Sequence, residues 1–189
     1  MPKSRYSREG KIQTPLTDAD FEEGMKNGTF IQTGHRAYCI LLYYSAVRTT
    51  EAHRVVREDF KFTRSTVLFD VHQRLKHSKP TPALTIPLSA PFVQELKDHI
   101  EKAKPGERVF NWRSRKTCYN IIQRVPTFHY GHLFRLSRIT NFFLAGWTIA
   151  QVKSWTGLSL AALEYYVGLV DTVKMGLSMG KKATRAQII

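Results

Sequence analysis

The spacing of apolar and polar positions divides the chain at Phe60 and again near Ser89: helical periodicity, then a stretch of period two, then helical periodicity again. The first helix is predicted to open at Leu16–Phe21, with Thr17 as N-cap, Asp18 and Asp20 near the positive helix end, and Leu16 stapled against Phe21. After an Asn27–Gly28 turn, Arg36 to Ala46 is apolar almost all round, the pattern of a helix buried on most sides, and Arg48 follows at its end. Glu51 to Val56 reads as a further helix, ended by Asp59–Phe60. Val67–His72 then predicts one strand and Ala83–Pro87 its partner, joined by a Lys-, His- and Pro-rich link from Gln73 to Pro82. Ser89 is the expected cap of a helix with Pro91 in its first turn and Phe92, Val93, Leu96 and Ile100 as its buried stripe. Val109–Phe110 reads as a short strand or anchor, Ser114 to Val125 as helical, and Pro126 as a break.

Beyond that break, His132 and Arg135 stand three apart at the start of a helix whose apolar positions Leu136, Ile139 and Phe143 follow one face. Both polar heads therefore sit at one end of that face, a candidate anion pocket. Gly146 closes the helix, and Thr148 with Gln151 forms a capping-box signature for a second one, Ile149 to Trp155, which ends at Gly157. A third, Leu160 to Val167, carries Tyr165 and Tyr166. The fold class expected from these elements is α+β and mainly α: a helical domain with a small antiparallel sheet or hairpin on one side. Residues 15–170 form the expected domain, preceded by a basic mobile arm at 1–14 and followed by a helix and basic tail at 171–189.

Composition sharpens the choice of partner. A formal charge of +14, from 29 Lys and Arg against 15 Asp and Glu, exceeds what solubility requires and points to a polyanion: nucleic acid, an anionic membrane surface or a ribosomal neighbour. Two distant cysteines, Cys39 and Cys118, make neither a zinc cluster nor a disulfide framework and fit a reducing, cytoplasmic setting. The N-terminus has no apolar h-region and no apolar run is long enough to span a bilayer, so a membrane role is not expected. No HExxH, no P-loop and no Asp/Glu cluster for Mg²⁺ is present, and no cofactor is expected.

The order H-x-x-R, a helix ending in Ala145–Gly146, a short helix ending at Gly157 and a tyrosine shortly after resembles the catalytic end of the tyrosine recombinases, the phage-integrase family. Upstream, Arg48-Thr49-Thr50-Glu51 resembles the family's first-arginine motif, and His77–Pro80 leading into Leu84–Leu88 resembles the hairpin that carries its lysine. The resemblance covers roughly Pro15 to Val170. It implies a DNA strand-cleaving and rejoining enzyme, active in recombination or integration on double-stranded DNA, with Arg48, Lys79, His132, Arg135 and Tyr166 as catalytic residues. Arg48, Arg135 and His132 would clamp the phosphate, Tyr166, with Tyr165 as the alternative because the spacing from Gly157 is one residue short, would form a 3′-phosphotyrosyl link, and Lys79, with Lys76 as fallback, would protonate the leaving 5′-oxygen. It also implies assembly on DNA through the C-terminal segment.

Each residue has a plainer reading. Arg48 with Glu51 reads equally as a structural ion pair, a His at a helix start as a cap, and a helical Tyr as packing. Two positions depart from the family pattern. Leu158 stands where the family usually has a His or Trp donor, and only a short basic arm precedes the domain where most members carry a second helical domain. A type IB topoisomerase-like relaxing activity, or a decayed basic DNA-binding module, are the alternative readings.

Overall fold

The structure, a computed structural model, describes residues 14–70, 83–112 and 114–171, with the backbone alone at Arg115. Helix α1 (Asp18–Asn27) begins as its capping signals require: Thr17 Oγ1 accepts from the Asp20 N–H at 3.1 Å, and the Asp20 carboxylate accepts from the Thr17 N–H at 2.8 Å. Its inner face carries Phe21, whose ring stacks on Tyr43 at 3.8 Å. Tyr43 belongs to α2 (Thr33–Ser45), which starts three residues before the apolar run does and is buried along nearly its whole length. This helix is the hub. It packs against α4 (Val93–Glu101) on one side and α6 (Gly131–Leu144) on another, the arrangement expected of a helix without a polar stripe.

After α2 the chain makes one helical turn, α3 (Thr49–Ala52), rather than a helix reaching Val56. Val56 instead bridges to Arg108, and a 3₁₀ turn at Arg57–Asp59 feeds the sheet. That sheet has three antiparallel strands in the order β1 (Phe60–Phe62), β2 (Thr66–Phe69), β3 (Leu84–Pro87), where the alternation alone predicts two. Phe60 opposite Phe69 and Val67 opposite Ile86 place Phe60, Val67, Phe69, Leu84 and Ile86 on the core side. The link that carries Lys76 and Lys79 lies outside the described residues.

Ser89 does not cap α4. The chain turns twice between Leu88 and Phe92, and Phe92 itself occupies the N-cap position with φ 64. A left-handed Phe costs roughly 1–2 kcal/mol. Its ring is held edge-on to Phe21 and under the Arg36 guanidinium, itself forked onto Glu95 at 2.7 and 3.0 Å, contacts that offset the strain. Helix α5 (Arg115–Ile122) is capped by Ser114 and ends three residues short of Val125. Helix α7 (Ile149–Thr156) has the predicted Thr148/Gln151 capping box and ends on Gly157 at φ 66. Residues 160–171 form the last described helix, α8, whose buried stripe is Leu163, Tyr166 and Val170. The two cysteines are free and buried, and among the described residues no helix is long and apolar enough to cross a membrane.

Candidate active site

The site is built where α2 runs out. Ala46 closes that helix in the left-handed region, φ 53, its N–H bonded to the Leu42 carbonyl at 3.1 Å. The carbonyl of Ala46 accepts a 2.6 Å hydrogen bond from Nη1 of Arg135, one turn into α6. Arg135 is only 7% exposed, and a buried guanidinium without partners would cost several kcal/mol. The phenol of Tyr166 lies within electrostatic reach of the same group. Burial pushes the Arg135 pKa below the usual arginine value, as does Arg48 nearby, while Tyr166 and Glu51 pull it back. A guanidinium starts so high that it remains charged at neutral pH.

Tyr166 is 5% exposed, whereas Tyr165 is 44% exposed and meets it edge-on at 5.5 Å. Successive helical residues point about 100° apart, and here the second tyrosine turns inward to Arg135. Burial raises the pKa of the Tyr166 phenol, and the Arg135 charge and Arg48 act in the opposite direction. The site thus holds a neutral phenol against cations that favour its phenolate.

Arg48 arrives differently. It is the N-cap residue of α3, its backbone N–H donates to Glu51 at 2.8 Å, and its Nη1 pairs with the same carboxylate at 2.6 Å. The side chain is 57% exposed. Arg48, His132 and Arg135 line one cleft of about 170 Å³, together with Val47, Thr49 and Thr50. Four of the five residues singled out from the sequence are therefore neighbours, since Tyr166 reaches the cleft through Arg135. Lys79 is the fifth and lies outside the described residues.

Three positions that shape the cleft escape the sequence reading. The Ala46 carbonyl anchors Arg135; the hydroxyl of Tyr38 donates to the Thr49 carbonyl at 3.0 Å; and Gly131 lets the start of α6 meet α3. A Cβ at Gly131 would overlap Thr49 Cγ2 and press on Ile122 Cδ1 at 3.1 Å. The glycine just before His132 was the available signal for that close approach. Leu158 is half-buried, packs on the core and offers only its backbone N–H, which donates to Thr156 Oγ1 at 3.3 Å. Among the described residues, no group of three or more His, Cys, Asp or Glu is placed to hold a metal ion.

No family model matches this sequence, and no curated protein matches it. Solved structures do. The XerH site-specific recombinase in a post-cleavage complex with palindromic difH substrate superposes with a TM-score of 0.68 at 17% identity, over 93% of this chain and 55% of XerH. XerA recombinase gives 0.64 at 14% identity, over 94% of this chain and 68% of XerA. The Tn1549 transposon integrase in complex with circular-intermediate DNA gives 0.58 at 13% identity, over 82% and 61%. These neighbours are tyrosine recombinases, and the mainly helical domain with its small antiparallel sheet has their catalytic-domain fold. The chain spans little more than half the length of XerH.

Proposed function

We propose that this chain cuts and rejoins DNA strands through a covalent phosphotyrosyl intermediate. The observation that carries the reading is the buried Arg135 guanidinium, with the Tyr166 phenol in its electrostatic reach, in the wall of a cleft that Arg48 and His132 also line. A phosphodiester repels nucleophiles, and attack adds charge to its non-bridging oxygens. Two guanidinium forks and an imidazole at one phosphate offset that charge, each such donor contributing about 10²–10³ in rate. The Tyr166 oxygen attacks phosphorus, its phenolic proton passes to solvent at the cleft mouth, and the bond to the 5′-oxygen breaks. Lys79 supplies the proton that this oxygen takes up. Rejoining reverses the step, with the energy of the broken bond kept in the phosphotyrosyl link. XerH and the Tn1549 integrase were solved with DNA, which supports DNA as the substrate here. Recombination is the role this chemistry serves, with assembly on DNA through residues 171–189.

The test is incubation with a pool of nicked suicide duplexes followed by denaturing electrophoresis. An adduct that forms with the native chain and with Tyr165→Phe, but not with Tyr166→Phe, supports the reading; an adduct that survives Tyr166→Phe ends it. Leu158 favours a second reading, a slow or decayed enzyme, because its side chain supplies no donor. Leu158→His is expected to raise the adduct-forming rate if the rest of the site is competent.

A further inference from the structure

A second, larger cleft of about 310 Å³ adjoins the first across Thr49, Gly131 and His132. Tyr119 of α5 and Tyr130 at the start of α6 line it, Ile122 lies among its apolar lining residues, and Lys116 lies in the first turn of α5. Tyr119 is 50% exposed, unusual for a large aromatic, yet it is not loose. Its phenol accepts from Gln123 Nε2 at 2.7 Å, and the same amide nitrogen donates to the His129 carbonyl at 3.0 Å. An exposed aromatic ring tied down in this way contributes little to the core but has already lost the rotamer freedom that a binding contact would cost. The cleft is continuous with a phosphate-sized one, and it combines phenol rings, an apolar side chain and an ammonium. That combination suits a flat heteroaromatic joined to an anion. Its volume suits one nucleoside.

We propose that this cleft receives one unstacked nucleotide, adjacent to the phosphate clamped by Arg48, His132 and Arg135, with its base against Tyr119 and a flanking phosphate on Lys116. The proposal rests on the DNA-cleaving reading of the adjoining site. A base inside a duplex presents no free face to a side chain, so the preferred substrate has a bulged, mismatched or melted position next to the scissile phosphate.

The experiment uses the full chain and two duplexes that differ only in one bulged nucleotide, 2-aminopurine, which fluoresces when unstacked and is quenched on stacking. The bulged duplex is expected to bind roughly tenfold more tightly than the paired one, with quenching of its fluorescence. Tyr119→Ala is expected to bring that preference close to one while leaving affinity for the paired duplex within about twofold, because the residue reads the base and not the backbone. Tyr119→Phe keeps the ring and is expected to retain most of the preference. Lys116→Gln is expected to weaken binding to both duplexes and to reduce the salt slope by about one. Equal affinity for the two duplexes, or a preference that survives Tyr119→Ala, overturns the proposal and leaves adduct formation untouched. Absence of salt-dependent binding to either duplex overturns the DNA reading itself, and this proposal with it.

Discussion

Arg135 and Arg48 line one cleft with the same functional group, and the fold holds them by opposite means. Arg135 is buried, fixed by a carbonyl at the far end of α2 with a tyrosine from α8 in its electrostatic reach, so its fork is aimed before any substrate arrives. Arg48 stands half in water and leans on a carboxylate three residues away in its own chain. The first is bound into the tertiary structure, and its loss would be felt by the fold. The second is parked on Glu51 with its guanidinium more than half exposed, so it is open to an incoming phosphate while its own backbone N–H keeps a contact with that carboxylate. If the proposed phosphate clamp is right, pre-organisation and availability are divided between its two arginines.

The largest expected effect comes from Arg135→Ala. It leaves the Ala46 carbonyl and the Tyr166 phenol without their charged partner in a buried setting, and we expect about 2–4 kcal/mol lower stability in chemical denaturation and adduct formation reduced at least a thousandfold. Arg48→Ala should reduce adduct formation by about 10²–10³ while stability stays within about 1 kcal/mol. Equal stability losses for the two variants would erase the distinction. Glu51→Gln sharpens it: the capping contact to the Arg48 N–H weakens, for about 1 kcal/mol or less, and phosphate competes more easily for the released guanidinium, so the salt sensitivity of DNA binding should shift although no residue of the clamp has changed.

The smallest expected effect lies away from both arginines. Burial, and then Arg124, lowers the pKa of His35, which meets Trp112 edge-on at 5.7 Å; burial also lowers that of His99, with Lys102 acting in the same direction and the Val109 carbonyl opposing. Folded pKa values below the unfolded value mean that the unfolded chain takes up protons first. Stability is then complete above about pH 6.5 and falls as the pH drops through the folded values. Thermal denaturation between pH 7 and 5 should show this loss, and His35→Gln combined with His99→Gln should flatten it. Guanidinium groups do not titrate in that window, so an unchanged slope in the double variant would mean that other groups carry the acid response.

Much of the fold was legible because its signals are local. Thr17 with Asp20 and Thr148 with Gln151 mark helix starts within four residues, and Gly157 marks an end. What was not legible depends on distant partners. Phe92 displaces Ser89 from the cap because Phe21 and Arg36 hold its ring, α3 stops after one turn because Val56 is drawn to Arg108, and β1 exists because Phe69 pairs with Phe60. In the site, the three-residue spacings Arg48–Glu51 and His132–Arg135 could be read directly. Which of the adjacent tyrosines turns inward rests on the resemblance alone, which leaves Tyr165 open, and the structure buries Tyr166 in a stripe with Leu163 and Val170. The carbonyl of Ala46 as an anchor could not be read, since backbone acceptors leave no trace in residue identity.

The contact between Gly131 and Thr49 also bears on how this chain can change. Any side chain at 131 meets the Thr49 methyl first, so Gly131→Ala alone drives the start of α6, and with it His132, away from α3. Thr49→Ser removes that methyl and is tolerable by itself. With serine at 49 the remaining contact of a 131 side chain is Ile122 Cδ1, which gives way by a few tenths of an ångström, whereas with threonine at 49 its methyl must also move aside. The two positions, far apart in the chain, are thus sterically coupled, so the effect of a change at 131 depends on what stands at 49.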